Sequence, residues 1–370
     1  MKKREVKFEL LRILCMYMIV IGHCLFHGRV TAKLGYGTVN YFLDYLVQSF
    51  SVVHVNTFVM IGGYFSIDKA FHASRLGKLW KQVAFYSIVI CLLGAVTIGV
   101  TESDVVKAIL PISARTYWFA SVYMGLLVLM PFIGMVAVRL TKKQYQYLLA
   151  ALTLFLSVNH MIFRVDTYGS FAGRELPWFI FLVLLAGYVK LHMKEDRRYA
   201  GYGFVTYVIS SLAVLVSVYL SVKTHQEDIG YFLNYNSPLA LLSTLVLFIC
   251  VRNLPWKESK LDNVILKVAS AAFGVYLIHD NYLIRYLVWD TFRVSKVAKT
   301  HWAMIYAVGV AVIVYAVCTV LELLRQQLVK WITPVWIKTP LYRKEQDLYQ
   351  RLDHVFAKNL QEPTEISSGK

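Results

Sequence analysis

Long apolar stretches alternate along this chain with short polar connections, most of them basic. The stretches fall at about 8–27, 41–65, 80–100, 117–138, 145–163, 175–191, 200–222, 237–251, 268–289 and 302–324. Most approach the ~20 residues a helix needs to cross a bilayer, where each backbone polar group must find its partner inside the same segment. The pattern predicts an all-α polytopic membrane protein of about ten transmembrane helices. Residues 1–325 would form the membrane domain and 326–370 a short cytoplasmic tail. That tail is mixed in charge and holds an apolar group, Trp331, Ile332, Val335, Trp336 and Ile337, interrupted by Pro334. Such a segment is expected to lie along the inner surface of the membrane. The first stretch does not read as a cleaved signal, because it contains Glu9, Arg12 and His23 and no small-residue cleavage pattern follows it.

Composition sharpens this picture. Hydrophobic residues make up 58% of the 370 and charged residues 16%, against about 45–50% and about 25% in a soluble domain, which excludes a water-soluble enzyme. The five cysteines, Cys15, Cys24, Cys91, Cys250 and Cys318, lie in apolar stretches without Cys-x-x-Cys spacing and read as small buried hydrophobes. The net charge of +17 is set by placement. Of 39 Lys and Arg residues, 27 lie in the alternate connections that include Lys2, Lys3, Arg4, Lys7 and the tail, and 10 lie in the opposite set. Positive loops resist translocation, so both termini are expected in the cytoplasm. Arg293, Lys296 and Lys299 form the one basic loop on the other side. No basic stripe with interleaved aromatics stands in an aqueous segment, so nucleic acid is not an expected partner.

Ionisable groups inside hydrocarbon cost at least ~2.5–3.5 kcal/mol and are candidates for function where they persist. Arg12 and His23 are eleven residues apart, which at 100° per residue comes within about 20° of three full turns, so they share one helix face roughly 16 Å apart along the axis. That separation suits gripping two ends of one long ligand. Glu9, three residues before Arg12, is placed for a local ion pair. Gly22 leaves room beside His23. In the ninth stretch His279 comes to a similar depth, with Tyr276 one turn earlier, and two histidines at one level suggest a shared cavity. His27 follows His23 at a metal-binding spacing, but Cys24 stands where a metalloprotease motif has Glu, and no carboxylate is close in sequence. No metal is therefore expected, and His27 reads as interfacial. Asp280 and Arg285 receive no role. A transporter or flippase of a glycan or lipid-linked intermediate is the rival reading, because buried charge in a many-span protein commonly serves transport. No matching internal repeat supports it.

Four segments together resemble the integral-membrane acyltransferase family 3, which includes bacterial polysaccharide O-acetyltransferases. They are Glu9, Arg12 and His23 in the first stretch; Phe58-Val-Met-Ile-Gly62-Gly63-Tyr64-Phe65; Trp118-Phe119 with Pro131; and Tyr276-Leu277-Ile278-His279. Gly62 departs from the family, where Ser is common. The resemblance implies a bacterial plasma-membrane enzyme that moves an acyl group, most often acetyl, from cytoplasmic acyl-CoA to a hydroxyl of a cell-surface or lipid-linked glycan, directly or through a separate extracytoplasmic transferase. In these terms His23 and Glu9 are the catalytic residues, His23 doing the chemistry as general base or as nucleophile and Glu9 orienting Arg12. Arg12 holds a donor phosphate, and His279, Tyr276 and Trp118 line the cavity.

Overall fold

The computed structural model describes residues 5–224 and 229–361, with side chains followed to Phe356. Lys2, Lys3, Arg4 and the end of the tail, counted in the charge argument, lie outside the described residues. Among the described residues there is helix and no strand. The helices are α1 (Val6–His27), α2 (Val39–Ser51), α3 (His54–Ser66), α4 (Ser74–Thr97), α5 (Glu102–Ile109), α6 (Trp118–Arg139), α7 (Lys142–Thr153) and α8 (Asn159–Phe163). They continue as α9 (Leu176–His192), α10 (Arg198–Lys223), α11 (Pro238–Asn253), α12 (Asp262–His279), α13 (Arg285–Thr291), α14 (Val294–Val297), α15 (Ala303–Trp336) and α16 (Pro340–Gln361).

Eight helical stretches among the described residues are long and apolar enough to cross a membrane. The protein is a multi-pass membrane protein. The other two predicted spans are α9, an apolar helix of 17 residues, and α12, of 18 residues with Asp262 and Lys267 in its first half. Neither is among the eight. The second predicted span is broken into α2 and α3 at Val52–Val53, just before His54, whose Nδ1 accepts the Val55 N–H at 2.9 Å.

Two further boundaries differ from the hydropathy pattern for physical reasons. The ninth apolar stretch was expected to run to 289, but α12 stops at His279. There the Asn281 side chain accepts the Leu283 N–H at 3.0 Å and donates to Tyr117 Oη at 2.7 Å, diverting the backbone into a turn before α13. The tenth stretch was expected to end near 324, yet α15 continues to Trp336 and carries the first residues assigned to the tail. It passes through Glu322 and Arg325 because these pair on one face of the helix. The Glu322 carboxylate, fully buried, also accepts from Tyr86 Oη at 2.6 Å and from Gln82.

Helix α1 lies at the centre. Its first half packs Phe8, Leu11 and Cys15 into a core shared with α3, α6, α9 and α11. Its second half packs Met16, Val20 and Cys24 into a core shared with α4, α12 and α15. The start of α1 and α16 lie on the same side of the bundle as the α3–α4 loop. Lys7 Nζ donates to Arg252 O at the end of α11, and Asp353 of α16 accepts the Ala73 N–H at 2.6 Å. The amphipathic α16 is thus docked on the bundle through Phe71–Phe356 and Lys81–Glu345.

Candidate active site

A stripe of α1, Arg12, Met16, Ile19 and His23, faces three cavities in succession. The cavity on the side of the termini has a volume of about 510 Å³ and is lined by Arg12, Gly62, Lys69, Arg75, Lys78 and Tyr123. Among its described lining residues are four cations and no carboxylate. The Arg12 guanidinium is held by Glu9 Oε2 at 2.6 Å, the i,i+3 contact expected from the sequence. Lys69 comes from the α3–α4 loop and Arg75 from the first turn of α4, a basic segment the sequence offered only as a sign of topology. They converge here because α16 braces that loop through Asp353. At Gly62 a Cβ would stand 2.6 Å from Tyr123 Oη, so a serine in this position requires the tyrosine hydroxyl to move aside.

A narrow apolar cavity of about 50 Å³ follows, lined by Met16, Ile19, Phe58, Phe119 and Tyr276. It shares His23, His54, Trp118 and Tyr235 with a third cavity of about 560 Å³ on the opposite side of the bundle. His23 therefore stands at a junction. Gly22 beside it has nothing within 4 Å of a notional Cβ, which is the open space inferred from the sequence.

The two central histidines touch. His23 Nδ1 lies 3.0 Å from His279 Nε2, while His279 Nδ1 lies 2.6 Å from the Val275 carbonyl. A carbonyl only accepts, so the proton of a neutral His279 sits on Nδ1 and its Nε2 is an acceptor. His23 then donates from Nδ1, and its Nε2 is left with a lone pair. This assignment follows from the hydrogen-bond network and leaves His23 with one basic nitrogen.

Asp280 completes the cluster. Its Oδ1 lies 3.7 Å from His23 Nδ1 and 3.4 Å from His27 Nε2, and the residue is 5% exposed. The sequence reading left Asp280 and Arg285 without a role. Both line the third cavity, brought there by the turn after α12. The sequence also offered no carboxylate for His23 and His27. Asp280 provides one from a distant segment, and the three donor atoms lie within 4.8 Å of one another, a spacing that a divalent cation can occupy.

Tyr276 is buried, packs edge-on to Tyr117 and Phe119, and its hydroxyl has no hydrogen-bond partner. It is a free donor beside the middle cavity. Trp118 stacks on Tyr235 with ring centroids 6.3 Å apart and planes at 15°. Of the residues selected from sequence, His23, His279, Tyr276 and Trp118 gather around the two upper cavities. Arg12 lines the cavity near the termini. Glu9 pairs with Arg12 at 2.6 Å, whereas His23 pairs with His279 and lies near Asp280. His54, Arg174, Tyr235 and Asp280 were missed.

The helical bundle thus brings one imidazole nitrogen with a free lone pair to the meeting point of two cavities. A family model described as an acyltransferase domain matches residues 5–322, and the chain belongs to this acyltransferase 3 family. No curated protein and no solved structure matches the chain. Membership makes the protein an acyltransferase and decides against the transporter reading.

Proposed function

We propose that the protein transfers an acyl group, most simply acetyl, from acyl-CoA to a hydroxyl of a cell-surface or lipid-linked glycan. The donor enters from the cytoplasmic side of a bacterial plasma membrane. The observation that carries this reading is the α1 stripe from Arg12 to His23 along three successive cavities. Acyl-CoA has a polyanionic end, a thin arm and a thioester at its tip. The tetracationic cavity suits the phosphates through charge-assisted hydrogen bonds, the narrow apolar cavity suits the arm, and His23 suits the thioester.

In the reaction, the acceptor hydroxyl attacks the thioester carbonyl as its proton passes to His23 Nε2. The carbon–sulfur bond then breaks, and the CoA thiolate takes the proton back. His279 holds the His23 ring in the required tautomer, Asp280 stabilises the transient imidazolium, and Tyr276 donates to the developing oxyanion. The same lone pair permits the alternative of a transient acyl-imidazole.

The test supplies radiolabelled acetyl-CoA to membranes containing the protein and follows alkali-labile label into glycan. Incorporation that depends on the protein is expected. Label that never leaves the donor, or that requires no acyl-CoA, would refute the reading. Washing the membranes with a chelator is expected to leave incorporation unchanged, since the Nδ1 that a metal would claim is engaged with His279. Activity lost to the chelator and recovered with zinc would instead make His23, His27 and Asp280 a metal centre.

A further inference from the structure

The cavity opposite the termini carries two arginines from separate segments of the chain. Arg174 and Arg285 both line it, and among the described residues no carboxylate lies within ion-pair distance of either guanidinium. Glu175, the neighbour of Arg174 in the chain, is engaged by Arg115. Asp280 is the one carboxylate among the described lining residues, and it lies against His23 and His27. Arg174 is instead placed over the Tyr235 ring at 5.7 Å. Arg285 Nε is buried and has no hydrogen-bond partner. Arg174 is exposed and Arg285 half-buried, so both are open to an anionic group that enters the cavity.

The wall beside these cations is aromatic. Trp118 and Tyr235 form a stacked pair that reaches from this cavity into the narrow one next to His23. Such a surface receives the apolar C–H face of a sugar ring, and the Arg174 cation above Tyr235 stands at its edge. A walled cavity also concentrates the field of its cations, which favours anionic ligands over neutral ones.

We propose that the acceptor is an anionic saccharide, and that Arg174 and Arg285 bind its carboxylate or phosphate while Trp118 and Tyr235 hold the sugar whose hydroxyl faces His23. The inference rests on the acyl-transfer reading and specifies its acceptor. The same anionic chemistry is presented by a finished polymer and by a saccharide still attached to a carrier lipid.

The experiment gives radiolabelled acetyl-CoA to membranes bearing the full-length protein. Labelled products are divided by organic extraction into lipid-linked and polymeric fractions, and each is passed over an anion-exchange column after mild acid release from lipid. Label is expected on saccharide that binds the column, in whichever fraction holds the acceptor. Arg174→Gln and Arg285→Gln are each expected to lower incorporation about tenfold through the acceptor KM, equivalent to ~1.4 kcal/mol, with Arg285→Lys recovering part of the loss. The KM for acetyl-CoA should stay unchanged in all three, since the donor cavity is on the other side, and this separates lost recognition from misfolding. Label confined to uncharged saccharide, or acceptor KM values untouched by both glutamine variants, overturns the anionic acceptor while acyl transfer stands. No label in any saccharide from the wild-type protein overturns acyl transfer to a glycan, and the proposal with it.

Discussion

Replacing His23 with alanine is expected to reduce acyl incorporation at least about a thousandfold, within the 10²–10⁴ range for loss of a general base and beyond it if the imidazole is itself acylated. The protein should still insert, since Gly22 beside it already borders open space and the loss removes no core contact on that side. The reason for so large an effect is that the hydrogen-bond chain from Val275 O through His279 to His23 leaves a single basic nitrogen at the junction of the cavities. The neighbouring histidines do not place such a nitrogen at the junction: His54 spends its Nδ1 lone pair on the Val55 N–H, and His27 turns its Nε2 to Asp280 and does not line the narrow cavity. His279→Gln removes the imidazole that fixes the His23 tautomer without enlarging this fully buried side chain, so kcat should fall with the KM for acetyl-CoA held. Undiminished labelling in His23→Ala would remove this residue from the chemistry. Incubating the wild-type protein with labelled donor and no acceptor separates the two routes: label bound to His23 marks the acyl-imidazole, and its absence marks general-base transfer.

How much of this site the sequence disclosed depends on whether each relation is local or through space. The shared face of Arg12 and His23 was legible because helical periodicity is a local rule, and the Glu9–Arg12 pair follows from the same rule. The approach of His23 to His279 came from comparing depths in two spans entering from the same side. Asp280 and Arg285 were invisible because their place depends on a turn that hydropathy does not register. The apolar run continues through Tyr282, Leu283 and Ile284, while the chain is diverted by the side chain of Asn281. The same limit explains α15, whose charges at Glu322 and Arg325 looked like the end of a span but neutralise each other on one helix face. Arg174, His54 and Tyr235 come from a loop and from helix junctions, where no period identifies a face. The basic residues of the α3–α4 loop and the start of α4 carried two readings at once. In the sequence their number spoke only to an expected side of the membrane, and the structure adds their convergence on Arg12, on which the proposed polyanion site rests.

Arg12→Ala is expected to raise the KM for acetyl-CoA about tenfold or more while kcat at saturating donor changes little, because in the proposed reaction the guanidinium meets the donor's phosphate end and not the reacting atoms. Stability should fall as well. Glu9 is 5% exposed, and removing its partner strands a buried carboxylate, a change that costs about 3–5 kcal/mol when the site is fully enclosed and less here, where the Arg12 side chain is 26% exposed. The two effects separate in the double variant Glu9→Gln/Arg12→Gln. It removes both charges, leaves amides able to hydrogen-bond each other, and should regain thermal stability in detergent without regaining donor affinity. The decisive comparison changes the donor instead of the protein. Acetyl-pantetheine keeps the thioester and most of the arm but lacks the nucleotide phosphates, so the wild-type protein should use it poorly. The Arg12 variant should discriminate less between the two donors, because the contact that told them apart is gone. Equal discrimination by variant and wild type would mean that Arg12 does not meet the phosphates, and the cationic cavity would then be a feature of membrane orientation alone.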